Sequence, residues 1–380
     1  LTFNLQKYGL DPEDVTQDTL NRRKFIEASG AAAGAAVLKS VNPSLNEPLN
    51  TSGRQSGKGA RIKLGLYSIS YGGIWYDGKA LSFEELCKRA REYGYDGVEL
   101  DNKRPMGNPM DLDQQSREAM RNTLSKYNLE MPCVAANNDF SSPIPEHREC
   151  QLLMVRETAR LARDMGAKFV RLFAAWYGVP IHEGVGTYDL VRDVMGEYTF
   201  MRQYPYVTHL DRWNFVREGL KEAARMGEEN GVVMVLQNHA PLIRHWKDTY
   251  DLVREVNSPW LKVCLDLPIF EKHDKEYIAQ AVRTVGSLQV HSHFGGEYYR
   301  DTDGKAKQKS IDTRFGQPLP DYANYISLMS EIGYDGYFTF ELCHPVINDD
   351  HTRAGIEYVH EQVKLAREYM TNIVNQYGKG

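Results

Sequence analysis

From about residue 61 onward, strand-length apolar runs alternate eight times with amphipathic segments of helical period, and this alternation constrains the fold more than any other feature. The runs are "IKLGLYSIS" from Ile62, "YDGVELD" from Tyr95, "LEMPCVAAN" from Leu129 and "AKFVRLFAAW" from Ala167. They continue with "VVMVLQNH" from Val232, "LKVCLDLP" from Leu261, "SLQVHSHFG" from Ser287 and "GYFTFELCHP" from Gly336. Helical segments such as "SFEELCKRAREYG", "RECQLLMVRETARLARDMG" and "NFVREGLKEAARMGEENG" lie between them, each closing on a glycine suited to a left-handed cap. Near copies, "EYGYDGVEL" and "EIGYDGYFTFEL", enter the second and eighth runs. Short connections and eight βα units predict an α/β protein built as a single (β/α)8 TIM barrel over residues 61–380, with an insertion at about 177–210.

A barrel of this kind places its chemistry at the carboxyl ends of the strands. Gln237 and His239 end the fifth run, Asp266 the sixth, His291 and His293 the seventh, and Glu341 and His344 the eighth. Residues two apart on a strand share a face, so His291 and His293 point the same way, into the lumen if Val290 and Ser292 face the helices. Oxygen and nitrogen donors converging from four successive strand ends suit a divalent cation such as manganese, magnesium, cobalt or zinc. The competing arrangement is a polar layer in which each buried group hydrogen-bonds a neighbour.

The span from Ile62 to about Gln376 resembles the xylose-isomerase-like barrel superfamily, which includes sugar phosphate isomerases, ketose 3-epimerases and an endonuclease branch. The resemblance rests on Asp266 in "CLDLP", on "VHSHFGGEYYR" and on Glu341 in "TFELCHP". It implies a metal held by Gln237, Asp266, His293 and Glu341, with His291 lining the pocket and Arg300 touching substrate. It further implies proton transfer on a sugar or keto-sugar through an enediolate. Glu341 is the first candidate base and His239 the second. The ketose epimerase pattern has glutamate where this chain has Gln237, which carries no proton. A single base suits isomerisation, or β-elimination of a 3-keto-glycoside, better than inversion. Glu99 in "VELD" is a further candidate substrate contact, and Trp176, with the aromatic insertion after it, could stack on a sugar ring.

A net charge of -5 with no basic block gives a nucleic-acid backbone no footprint, which disfavours the endonuclease branch. A noncatalytic sugar-binding barrel is the remaining rival, and a homo-oligomer is compatible with the sequence. The five cysteines show neither disulfide nor zinc spacing. "NRRKFIEASGAAAGAAVL", from Asn21 to Leu38, resembles a twin-arginine export signal and implies a periplasmic enzyme without stable membrane insertion. Residues 1–60 therefore read as signal and polar linker.

Overall fold

The structure, a computed structural model, describes residues 62–182, 184–186, 190–309 and 319–378, with the backbone alone for 190–195. The expected signal and linker over residues 1–60 lie outside the described residues. Each of the eight apolar runs contains a strand: β1 Lys63–Tyr67, β2 Gly97–Asp101, β3 Cys133–Ala135 and β4 Phe169–Leu172, then β5 Val233–Gln237, β6 Leu261–Cys264, β7 Gln289–Gly295 and β8 Tyr337–Glu341. All adjacent pairs are parallel, and the sheet closes in the order β1, β8, β7, β6, β5, β4, β3, β2. This is the (β/α)8 barrel that the alternation predicts.

The helices are α1 Phe83–Glu92, α2 Gln114–Lys126, α3 Pro145–Met165, α4 Leu190–Gln203 and α5 His209–Asn230. They continue with α6 Trp246–Val256, α7 Lys275–Val285, α8 Tyr322–Glu331 and α9 Ile356–Tyr377. Their apolar faces carry buried residues such as Leu86, Val155, Leu220, Leu252, Ile278 and Val363, which join the barrel's outer layer in one core. Helices α3 and α5 end on Gly166 and Gly231 at φ 74° and 67°, as the sequence predicts. Helix α5 starts earlier than the expected Asn214, because Thr208 and Asp211 form a capping box that draws residues 209–213 into it. Within the expected insertion lie α4 and a two-stranded ribbon, Ile181–His182 with Val185–Gly186. No described helix is long and apolar enough to cross a membrane.

The repeated "GYDG" entries have a steric reason. Gly97 begins β2 so close to its neighbours that an added Cβ would sit 2.6 Å from the Glu130 carbonyl oxygen and 3.0 Å from the Tyr337 ring. Gly97→Ala is expected to lower stability by about 1–3 kcal/mol, read as a lower urea midpoint. An unchanged midpoint would mean that β2 has room to retreat.

One irregularity prepares the site. Between β6 and β7, Val263 pairs with Gln289 but Cys264 pairs with His291, so β7 carries one extra residue, Val290. The Gln289 side chain repairs the ladder by accepting from the Leu265 N–H at 2.9 Å and donating to the His291 carbonyl at 2.8 Å. Ser292 and Tyr325 hydroxyls also donate to the Leu265 carbonyl, at 2.6 and 2.8 Å. The backbone just before Asp266 is thereby clamped and delivers that carboxylate beside His293.

Candidate functional site

Five buried side chains, from β2, β4, β5, β7 and the segment just after β6, close a ring of hydrogen bonds inside the barrel. Glu99 Oε2 meets His293 Nε2 at 2.8 Å, and Glu99 Oε1 accepts from Arg171 Nε at 3.2 Å. Arg171 Nη1 donates to Gln237 Oε1 at 2.5 Å, and Gln237 Nε2 donates in turn to Asp266 Oδ2. Asp266 Oδ2 meets His293 Nδ1 at 2.9 Å and completes the ring, while its Oδ1 accepts from the His293 backbone N–H at 2.8 Å. None of the five is more than 2% exposed. His291 and His293 both point into the lumen, with ring centroids 4.9 Å apart, as their spacing predicts.

Burial disfavours charge at every member, and the partners decide what survives it. Burial acts to raise the Glu99 carboxyl, but His293 and His291 beside it hold it well below the usual carboxylate range. Burial raises Asp266 too, and His293 together with the Gln237 amide overcomes it, leaving Asp266 lowered. Burial acts to lower His293, but Asp266 and Glu99 on its two nitrogens hold it well above the ordinary imidazole value. His291 is bonded to one carboxylate, Glu99 at 2.7 Å, and burial, helped by His293 beside it, outweighs the pull of Glu99 and Asp266, so its value falls. Its Nδ1 has no hydrogen-bond partner among the described residues. Glu341 lies within the field of His293, Asp266 and Arg171, and burial raises its carboxyl.

The predicted residues fall into distinct positions. Gln237, Asp266 and His293 are in mutual contact, and Glu341 ends the neighbouring β8, two residues beyond the Thr339 that pairs with His293. Glu99 is fully buried and bonded to both histidines and Arg171. His291 is likewise fully buried, with its ring 6.1 Å from Phe169. Arg300 is not brought to the site. It sits on the Glu297–Arg300 strand and pairs with Glu368 of α9 at 3.0 and 3.1 Å, because that surface carboxylate offers a two-pronged partner. Trp176 stacks on Phe173 at 4.9 Å, and His239 stands edge-on to both rings at 4.8 and 5.0 Å. The His239 Nδ1 atom lies 2.5 Å from the Ala240 carbonyl oxygen.

Several residues that build the site were not singled out from the sequence. Arg171 is the foremost, its guanidinium held between the Tyr67 and Phe173 rings at 5.0 Å from each centroid. An arginine inside the apolar run "FVRLF" was the available signal. Cys264, buried at the end of β6, donates to Asp266 Oδ1 at 3.4 Å. On the β1 and β2 side, Asp101 accepts from the Tyr67 hydroxyl at 3.0 Å, Asn137 at 2.6 Å and Lys103 at 3.3 Å. Glu297, from the "GGE" of β7's exit, anchors a separate cluster with His344, Tyr358 and Lys309. Burial raises its carboxyl, yet the His344 and Tyr358 hydrogen bonds hold it down at about 2.

The donor set fits a divalent cation. Glu99 holds His293 Nε2, so Nδ1 is the nitrogen turned toward Asp266, the outer-shell arrangement that metal-bound histidines commonly use. Ligand atoms of Cys264, Asp266 and His293 all lie within 4.8 Å of one another, and so do those of Glu99, His291 and His293. The charges agree as well. Arg171 and a protonated His293 neutralise Glu99 and Asp266, and a divalent ion replacing the Nδ1 proton would add the one further positive charge that ionised Glu341 needs.

Comparison with known proteins agrees with this architecture. Residues 87–362 match a protein family described as a xylose isomerase-like TIM barrel. No curated protein matches the chain in sequence. Among solved structures, D-psicose 3-epimerase with D-tagatose from Clostridium cellulolyticum H10 is similar at TM-score 0.54 and 17% identity, over 83% of this chain and 96% of that one. A second is 3-keto-D-glucoside 4-epimerase, YcjR, from E. coli, at TM-score 0.54 and 16% identity, over 81% and 99%. A third is the IOLI protein with a bound zinc atom, at TM-score 0.57 and 16% identity, over 83% and 99%. These likenesses establish a shared fold.

Proposed function

The chain belongs to the xylose isomerase-like TIM barrel family, and from that premise we propose that it is a divalent-metal-dependent enzyme acting on a sugar or keto-sugar by moving a carbon-bound proton. The observation that carries the proposal is the buried convergence of Asp266 and His293, with Glu341 next to them at the barrel's carboxyl end. A bound cation would supply Lewis-acid polarisation of a carbonyl and its neighbouring hydroxyl. Asp266, His293 and Glu341 are the residues to hold it, and Gln237, the fourth candidate that the sequence suggests, lies against Asp266. Solved structures whose names include psicose and 3-keto-glucoside epimerases, and one with zinc, support this class of substrate and cofactor.

Glu341 is the base. Burial raises its carboxyl, the direction that makes a carboxylate a better proton acceptor. The Asp101 cluster offers hydroxyl-binding groups, and beside it, with Lys103 6.0 Å above the Trp176 ring, the Trp176 and Phe173 faces offer an apolar wall. With Gln237 unable to serve as a second base, a proton taken and returned on one face, as in isomerisation, is favoured over inversion. The same lack of a second base favours β-elimination of a 3-keto-glycoside as the second reading. A twin-arginine leader over residues 21–38 would deliver the enzyme to the periplasm, where unphosphorylated glycosides are met.

The test is exchange of carbon-bound hydrogen in D2O. Protein stripped with chelator and then reloaded with Mn(II) or Zn(II) is incubated with D-psicose, D-fructose, D-tagatose and a 3-keto-glucoside, and deuterium uptake is followed by NMR. Metal-dependent uptake in at least one sugar is expected. Folded, metal-loaded protein that binds these sugars yet exchanges none of their hydrogens would instead establish a noncatalytic sugar-binding barrel.

A further inference from the structure

Resting on the metal reading above, we infer that the cation takes only Asp266, His293 and Glu341 from the protein. Gln237 is a positioning residue that Arg171 locks in place so that it holds Asp266. The family resemblance would make it the fourth ligand, through its carbonyl oxygen. Its two neighbours assign its amide otherwise. Arg171 has only donors to offer, and an ionised Asp266 has only acceptors. Gln237 lies between them, Oε1 on Nη1 of Arg171 at 2.5 Å and Nε2 on Oδ2 of Asp266. Turning the amide over would put oxygen against carboxylate and NH2 against guanidinium, two repulsions in place of two hydrogen bonds. The orientation is therefore dictated by chemistry.

Nor can Gln237 easily leave that arrangement. A cation sharing Oε1 would sit beside the guanidinium, like charge against like at short range in a water-poor lumen. Arg171 cannot step aside, because Glu99 holds its Nε at 3.2 Å and the Tyr67 and Phe173 rings flank it at 5.0 Å. The amide NH2 consequently faces Asp266 and fixes which way its carboxylate is presented, while Asn238 holds the Asp266 backbone N–H at 2.8 Å. Three protein ligands rather than four leave an additional coordination position for the two oxygens of a sugar.

Water-proton relaxation by Mn(II) alone, titrated into wild type and Gln237→Ala, tests this by counting the waters on the bound ion. Affinity in the variant is expected to weaken by roughly tenfold, as for loss of an outer-shell partner. The number of bound waters is expected to stay the same. One extra water on the ion in Gln237→Ala would overturn the assignment, since it would fill a place that Gln237 had held. Should the variant fail to fold, a Mn(II)-soaked crystal of the wild type decides: Oε1 on Arg171 supports the assignment, and Oε1 at bonding distance from the ion overturns it. Mn(II) bound with Gln237 as ligand removes this assignment alone, whereas wild type that holds no Mn(II) removes the metal reading and the assignment with it.

Discussion

Glu341→Gln is expected to lower kcat by roughly 10²–10⁴-fold on whichever sugar shows metal-dependent exchange, while KM changes little. Gln keeps an oxygen that can face a cation and keeps the side chain's volume, but it cannot take a proton. The group lost is the one carboxyl at the site that burial pushes up rather than one that its partners pull down. Comparing thermal midpoints of the two proteins separates a chemical loss from unfolding. Full turnover in a folded Glu341→Gln protein would hand the proton to another group, and His239, edge-on to Trp176 and Phe173, would be the next to replace.

Arg171→Met is expected to cost about 3–5 kcal/mol of stability, the effect of removing one partner from a buried ion pair. Met matches the length of the arginine stem and can remain between the Tyr67 and Phe173 rings, so the loss is chiefly electrostatic. Glu99 would keep its histidines but lose its permanent cation, and Gln237 Oε1 would lose its donor. Urea unfolding measures the cost. Adding Glu99→Gln to Arg171→Met removes the stranded carboxylate and should recover part of it. If Arg171→Met alone unfolds at the wild-type midpoint, the ring of hydrogen bonds adds nothing to the fold and Arg171 has been misread.

The barrel, and the depth at which its polar residues sit, could be read from the chain because both follow from local periodicity. Alternation of a period near two with a period near 3.6 identifies strands and helices, and strand ends identify the catalytic face. The shared face of His291 and His293 follows in the same way, since residues two apart on a strand point together whatever else the chain does. Which groups meet across the lumen is another matter. Arg171 finds Gln237 66 residues away and Glu99 72 away, and Glu99 finds His293 at a separation of 194. Strand order, barrel closure and a one-residue bulge at Val290 set those meetings, and no short window of sequence contains them. For that reason no local reading showed that Glu99 anchors two histidines or that Arg300 pairs with Glu368 on the surface. The charge on each group was equally beyond local reading. His291 and His293 share a face, yet one is bonded to a single carboxylate and the other to two, and their proton affinities move in opposite directions. A residue's type and parity are properties of its own strand, whereas its partners, and with them its charge and its role, belong to the closed barrel.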